Sequence, residues 1–496
     1  MKPFLFILLF GLVGATVILN SCKQDEPAVD LSASGFPNAV GKIILGKCAT
    51  AGCHNTQSKD AAGGLDMTTW DKLFEGGGGE ACVIPYRPDY STLCYYTNTF
   101  PELSVTLVPT MPFNKTPLTK EEVTILMDWV AMGAPNRQGQ VKFADNPNRK
   151  KIYITNQGCD EVAVIDAETK LIMRYIHVGN TLSTESPHMV KISPDGNNWY
   201  VISLTGTSIQ KFRTSDDSYV GEINIGYPIA GWNTFSISAN SQYAFISDWK
   251  TGISQIVCVD LINMDSITSY TSLVPGFIDY AHGTAVNGNT LYNGHTNGNF
   301  IYNIDVSNPT SPNVNTVAID GSGFPTFSPN LGIHDLLLSP DGTKLFITCS
   351  IENTVRIIQT SNDSLLAVIS TGSVPLEMAV SITMPYCFVT CEDDSLLFPG
   401  VGKRGCITVF NYQTNQFVTN IDAGTFQPHG IAVDDANGFV YVASRNLNSS
   451  GPAPHHTSSC GGRNGYLTII NIVTLEKLDD FKTEMSVDPY SIAIRN

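Results

Sequence analysis

The chain has 496 residues, too many for one compact core, so two or more structural units are expected. Its formal net charge is −16 with only 15% charged residues, and no run of Lys and Arg is long enough to follow a phosphate backbone, which argues against nucleic acid as a partner. The acidity suits an exported, soluble body and carries no information about fold.

Lys2 is followed by the apolar run Phe4–Leu19 and then by Leu19–Asn20–Ser21–Cys22. The run falls short of the ~20 residues that span a bilayer and reads as a signal peptide over residues 1–21. Its ending resembles a lipobox, which implies that Cys22 is lipidated and anchors the mature protein to a membrane. Lys23–Gln24–Asp25–Glu26 is similar to the charged signals that send lipoproteins to the surface of certain Gram-negative bacteria. An outer-membrane lipoprotein, on the periplasmic or cell-surface face, is expected, with residues 22–35 as a polar tether. Export leaves the cysteines not used by lipid or cofactor free to form disulfides, and Cys82 and Cys94 lie close enough in sequence to pair.

Val40, Ile43, Ile44 and Lys47 recur at helical spacing, so a short amphipathic helix is expected to end at Cys48. The next residues complete Cys48–Ala49–Thr50–Ala51–Gly52–Cys53–His54. Two cysteines followed at once by a histidine is the arrangement that covalent haem attachment needs. Each thiol adds to a vinyl group, and the imidazole then faces the iron. Four residues separate the cysteines here, where two are common. A local Cys48–Cys53 disulfide and a fragment of a zinc site are the competing readings, although zinc would want a second ligand pair at short spacing, and none follows.

Downstream, Leu107–Val108–Pro109–Thr110–Met111–Pro112 places a methionine in a loop held extended by prolines, from which a thioether could approach iron opposite His54. Thr119 and Glu122 form a capping box; Val123, Leu126, Trp129 and Val130 then make one apolar stripe, and Gly133 closes the helix. Met127 and Met132 are rival ligands, but a methionine inside a helix more often packs. Taken in order, the helix, the Cys-x4-Cys-His motif, the glycines at Gly63–Gly64 and Gly76–Gly79, the Met-Pro loop and the capped helix resemble a class I cytochrome c domain. In particular they are similar to the divergent group found in bacterial multidomain lipoproteins. The resemblance implies a small all-α domain over residues 36–137, with haem c attached covalently to Cys48 and Cys53 and its iron between His54 and Met111.

Residues 138–148 are polar without an apolar period and read as a linker. From 149 to 496 the chain turns to short β-branched and aromatic runs between turn residues, repeating at a period in the low-to-middle forties. Clear units open at Pro187, Gly332 and Pro428, with weaker copies near Trp232, Ala281 and Pro375. Each supplies four strands, those of the Pro428 unit ending with one over residues 477–482. The unit from Lys151 has only three strands, and Asp488–Ile494 is an opening strand with no unit after it. Joining these two ends gives an all-β propeller of seven blades closed by the C-terminal strand. The Ser-Pro-Asp-Gly turns and the Pro-His-Gly-Ile-Ala-Val opening resemble the YVTN-type propellers, a family similar to the haem domain of cytochrome cd nitrite reductase and to surface-layer propellers.

His188, His282, His334 and His429 all open innermost strands and are expected at one mouth of the central channel. The excursions Cys391–Arg404 and Arg445–Asn464, the second carrying His455, His456 and Cys460, are expected on the same face. Such a cluster suits copper or a second haem; the competing reading is a repeat residue that lines a polar channel and bonds neighbouring backbone. Cys391, Cys406 and Cys460 are expected in disulfides, and Asp335 and Glu377 are candidate acid–base groups or plain channel carboxylates. Three functions follow. The first is an electron-transfer lipoprotein whose propeller binds a redox partner or small molecule. The second is an oxidoreductase with a metal or haem at the propeller mouth and the cytochrome as relay. The third is a surface binding or adhesion protein.

Overall fold

A tight turn sets the geometry of each repeat. Gly196 and Gly342, which end Ser-Pro-Asp-Gly, take φ values of +72° and +69°, open to glycine at no steric cost. The Ser339 hydroxyl donates to Asp341 Oδ1 (2.6 Å) and accepts from Lys344 N (2.9 Å), fixing where the next strand begins. The computed structural model describes residues 31–228, 231–249, 254–271, 278–478 and 483–495. It arranges the repeats as seven four-stranded antiparallel sheets. The innermost strands are Pro187–Ile192, Trp232–Ile237, Ala281–Asn287, Ile333–Leu338, Pro375–Val380, Pro428–Asp434 and Pro489–Arg495. Each touches the next in a closed ring, so the fold is a seven-bladed β-propeller.

Closure follows the expected route. Pro489–Arg495 pairs with Lys151–Asn156, Lys151 opposite Arg495 and Ile152 opposite Ile494, and completes blade one with Glu161–Asp166 and Ile172–His177. The described outer strand of blade seven is Thr483–Val487, pairing Glu484 with Tyr466 and Val487 with Asn464. Of the strand expected over residues 477–482, Lys477 bridges Ile470 and residues 479–482 lie outside the described residues.

Ahead of the ring, residues 31–148 hold four α-helices: α1 (Asn38–Ile43), α2 (Trp70–Leu73), α3 (Thr92–Thr97) and α4 (Lys120–Ala131). The expected helix before the cysteine motif is α1 continued by a π-helical turn, Ile44–Cys48. The capping box on α4 is present, and Val123, Leu126, Trp129 and Val130 are its buried face. Only α4 exceeds six residues, and among the described residues this segment contains no strand. Its core is not its own. Phe36, Trp70, Phe74, Trp129 and Phe143 share one apolar cluster with Tyr153, Met173, Trp199 and Phe212 of the propeller.

The joints are packed as well. Ser34, at the end of the expected tether, is buried, and its carbonyl accepts from Trp70 N (2.8 Å). The linker is held by Phe143 in the shared core and by Lys142 against Asp71 (2.7 Å). The signal peptide and Cys22 lie outside the described residues. No helix among the described residues is long and apolar enough to cross a membrane.

Candidate functional site

The cysteine motif begins where α1 runs into its π-helical turn. Lys47 pairs with Glu122 of α4 (2.6 Å), and the adjacent Cys48 enters the core. The backbone then folds back, with His54 N donating to Cys48 O (3.2 Å) and Cys53 N to Thr50 O (3.0 Å). Met67 N donates to His54 O (2.8 Å) and Ser58 Oγ to Cys53 O (2.6 Å), so the loop is held from both sides. Burial, with Cys82 close by, pushes the Cys48 thiol up to about 12. Burial also lowers the His54 pKa, against the nearby backbone carbonyls of Leu65 and Ala62. His54 Nδ1 is buried without a hydrogen-bond partner, and Cys48 and Cys53 are free thiols. Met111 is half-buried, its amide donating to Tyr96 O (2.7 Å). Met132 lies just past the end of α4 and is 65% exposed, which removes it as a buried ligand.

The second cluster is the channel mouth. Every innermost strand carries a β-bulge within its first residues. Ser186, Tyr280, Gly332, Val374, Gln427 and Asp488, each just before such a strand, have positive φ. This repeated kink re-aims the second residue of the strand. The residues there are His188, Asn233, His282, His334, Leu376, His429 and Tyr490, and all but Leu376 line one small pocket with Asp335 and Glu377. The Pro-His-Gly pattern has a steric basis too. A Cβ on Gly430 would lie 2.4 Å from Tyr490 O, and one on Gly283 2.6 Å from His334 O.

The histidines meet as rings. Centroids are 4.4 Å apart for His282–His334, 5.5 Å for His334–His429 and 3.6 Å for the stacked His429–Tyr490. His282 Nδ1 donates to His334 O (2.6 Å) and His429 Nδ1 to Tyr490 O (3.2 Å), since a carbonyl only accepts. His188 Nδ1 meets Gln157 Nε2 at 2.9 Å, whereas His334 Nδ1 is buried with no partner. Burial holds His282 down at about 4 and, with Arg445 adding to it, His429 at about 3; His188 and His334 also lie well below the usual value. Burial and the adjacent Glu377 push Asp335 up to about 7, and burial pushes Glu377 up to about 8 despite Lys191. At neutral pH the mouth is lined by uncharged rings, with Glu377 largely protonated and Asp335 near its midpoint.

This mouth does not suit the expected groups. Its enclosed space is only about 10 Å³, room for about one water, so a second haem does not fit. No three of its candidate ligand atoms lie within 4.8 Å of one another, so copper has no ready donor set. His455 and His456 are absent from it. Their excursion leaves from the channel face, as the pairing of Ser444 with Pro428 requires, but runs outward to the helical segment. There His456 lies against Tyr95 with ring centroids 4.5 Å apart, and His455 Nδ1 is 3.1 Å from Glu484 Oε2.

The disulfide expectations change similarly. Cys460 is bridged, to Cys159 of blade one. Cys391 and Cys406 are direct cross-strand neighbours but remain thiols, with Cys406 Sγ turned to Asp394 Oδ2 (3.2 Å) and Cys391 Sγ to Thr408 Oγ1 (3.4 Å). Cys82 and Cys94 are buried thiols in the same apolar cluster as Cys48, set near each other by Leu93 N donating to Cys82 O (3.0 Å). Reading the sequence missed Tyr490 at the mouth, although Pro489–Tyr490 occupies the place of Pro428–His429 in the repeat. It also missed Glu80 and Glu484, which no motif marks.

No family model matches the chain, and no curated protein matches it in sequence. Among solved structures it is similar to a functionally unknown protein from Desulfotomaculum acetoxidans DSM 771, at 15% identity and a TM-score of 0.53, over 69% of this chain and 98% of that one. It is also similar to Kuenenia stuttgartiensis hydrazine synthase, at 15% identity and a TM-score of 0.49, over 64% of this chain and 91% of that one. Dihydro-heme d1 dehydrogenase NirN in complex with DHE is similar at 12% identity and a TM-score of 0.47, over 85% of this chain and 95% of that one. The first likeness is one of fold alone, and the other two carry no inference.

Proposed function

We propose that the protein is a haem-binding electron-transfer lipoprotein, in which the helical segment carries a c-type haem and the propeller binds a partner or small ligand. The observation that carries this reading is the buried, partnerless Nδ1 of His54 beside the two unbridged thiols of Cys48 and Cys53. Cys48 and Cys53 would hold the haem through thioether bonds, and His54 and Met111 would bind its iron. Bound there, haem c supplies a one-electron couple whose potential a thioether ligand raises. The Lys47–Glu122 pair positions Cys48, and exposed Val105, Val108 and Phe113 give the Met111 loop an apolar face for a redox partner. Lipidation of Cys22 would hold this assembly at the outer membrane.

The test is expression with a working cytochrome maturation system, followed by redox spectra and iron counted per chain. One low-spin c-type haem is expected, altered in distinct ways by His54→Ala and Met111→Ala. Protein that leaves such a host without covalent haem overturns the reading.

A second reading has its own support: His334 Nδ1 is a buried donor or acceptor without a partner, and it faces a pocket shared with Asp335 and Glu377. On this reading the mouth binds a small polar molecule, and a carboxyl there gives or takes a proton while the haem segment relays electrons. Substrate-dependent haem reduction that is lost in Glu377→Gln would favour it.

A further inference from the structure

The geometry points to a metal site at the seam between the helical segment and the propeller, built from Glu80, His455 and Glu484 with His456 beside them, for a divalent cation of the zinc class. Among the described residues this is the one group of three whose ligand atoms all lie within 4.8 Å of one another. His455 Nδ1 is 3.1 Å from Glu484 Oε2 and 3.7 Å from Glu80 Oε1. Ligand atoms about 2.1 Å from a tetrahedral ion stand about 3.4 Å apart, so the donors are already near their places. One imidazole with two carboxylates is a donor set that zinc accepts, and three protein ligands leave a position open.

His456 stands beside them: its Nδ1 lies 3.2 Å from Thr457 O and its Nε2 3.8 Å from Glu484 Oε1, so a second imidazole is within reach of the same carboxylate. Glu484 is held as outer partners hold a metal ligand: Asn464 Nδ2 donates to Oε1 (2.7 Å) and His455 N to Oε2 (2.8 Å). The His455 side chain is 61% exposed and that of Glu484 only 6%, giving a buried anchor with an entry path. Glu80 comes from the helical segment, His455 and His456 from the long excursion of blade seven, and Glu484 from its outer strand. A cation here would clip the haem-bearing segment to the ring.

The test uses the full chain with and without haem, so that it stands apart from the haem proposal. Protein stripped with EDTA is dialysed against Zn²⁺, and zinc is counted per chain. One zinc at micromolar concentration is expected, weakened at least tenfold by His455→Ala and by Glu484→Gln and unchanged by His177→Ala on exposed blade one. Zinc should also protect the 445–463 excursion from hydrogen exchange in the unmodified protein and not in His455→Ala. Absence of stoichiometric zinc, or equal binding by His455→Ala, overturns the site. His455 is exposed enough that its loss leaves the fold intact, whatever becomes of Glu484→Gln.

Discussion

Glu377 holds its proton up to about 8 because it is buried, whereas a carboxyl in the unfolded chain releases it near its ordinary value of 4.5. Between those values the folded state binds more protons, so this residue makes stability fall as pH rises. His282 and His429 act at the other end. They stay neutral down to about 4 and 3 when folded but charge near 6.5 when unfolded, so stability falls as pH drops below that value. Glu377→Gln should therefore melt with the unmodified protein near pH 4 and several degrees above it at pH 9, read by differential scanning calorimetry. An offset independent of pH would show that Glu377 is not buried with its proton. The mouth histidines were legible in the sequence because the repeat itself carries them. The path of His455 and His456 was not, because an excursion of twenty residues has no period to follow.

At the scale of single elements, local rules and long-range packing part company. The α4 cap was readable from Thr119 and Glu122 alone, since both hydrogen bonds are made within four residues. Glu122 also pairs with Lys47, so the cap is tied to the turn that presents Cys48. Thr119→Ala should cost about 1 kcal/mol, seen as a roughly fivefold loss of hydrogen-exchange protection in the first turns of α4. Full protection would mean that packing against the shared core, not the cap, holds the helix start. That core was hidden from sequence reasoning. Trp70, Phe74 and Phe143 sit in short helices and loops with no apolar stripe, and only the fold reveals that their partners are Trp199 and Phe212. The outer strand Thr483–Val487 of blade seven escaped local reading for a related reason: its register is set by Asn464 and Tyr466, far from the turn that sequence can read.

For the whole molecule, two devices join the ends of the ring. One is the strand Pro489–Arg495 on Lys151–Asn156, and the other is the Cys159–Cys460 disulfide, which spans 301 residues. Losing a native disulfide typically costs about 2–5 kcal/mol. Cys460→Ser should lower the melting temperature to the value that reductant gives the unmodified protein, and reductant should not lower it further. If reductant destabilises both equally, the bridge is not what holds the excursion. The seven-blade ring was legible because an incomplete first unit and an orphan last strand are complementary, whichever way the blades pack. The same closure has a consequence for biosynthesis. Blade one is made first but receives its innermost strand last, so its open edge waits until the rest of the ring has been made. During that interval a bare strand edge and an unfinished helical segment coexist, and both recruit strangers as readily as their proper partners. A holding chaperone engaged until residues 489–495 arrive is the natural answer to that timing.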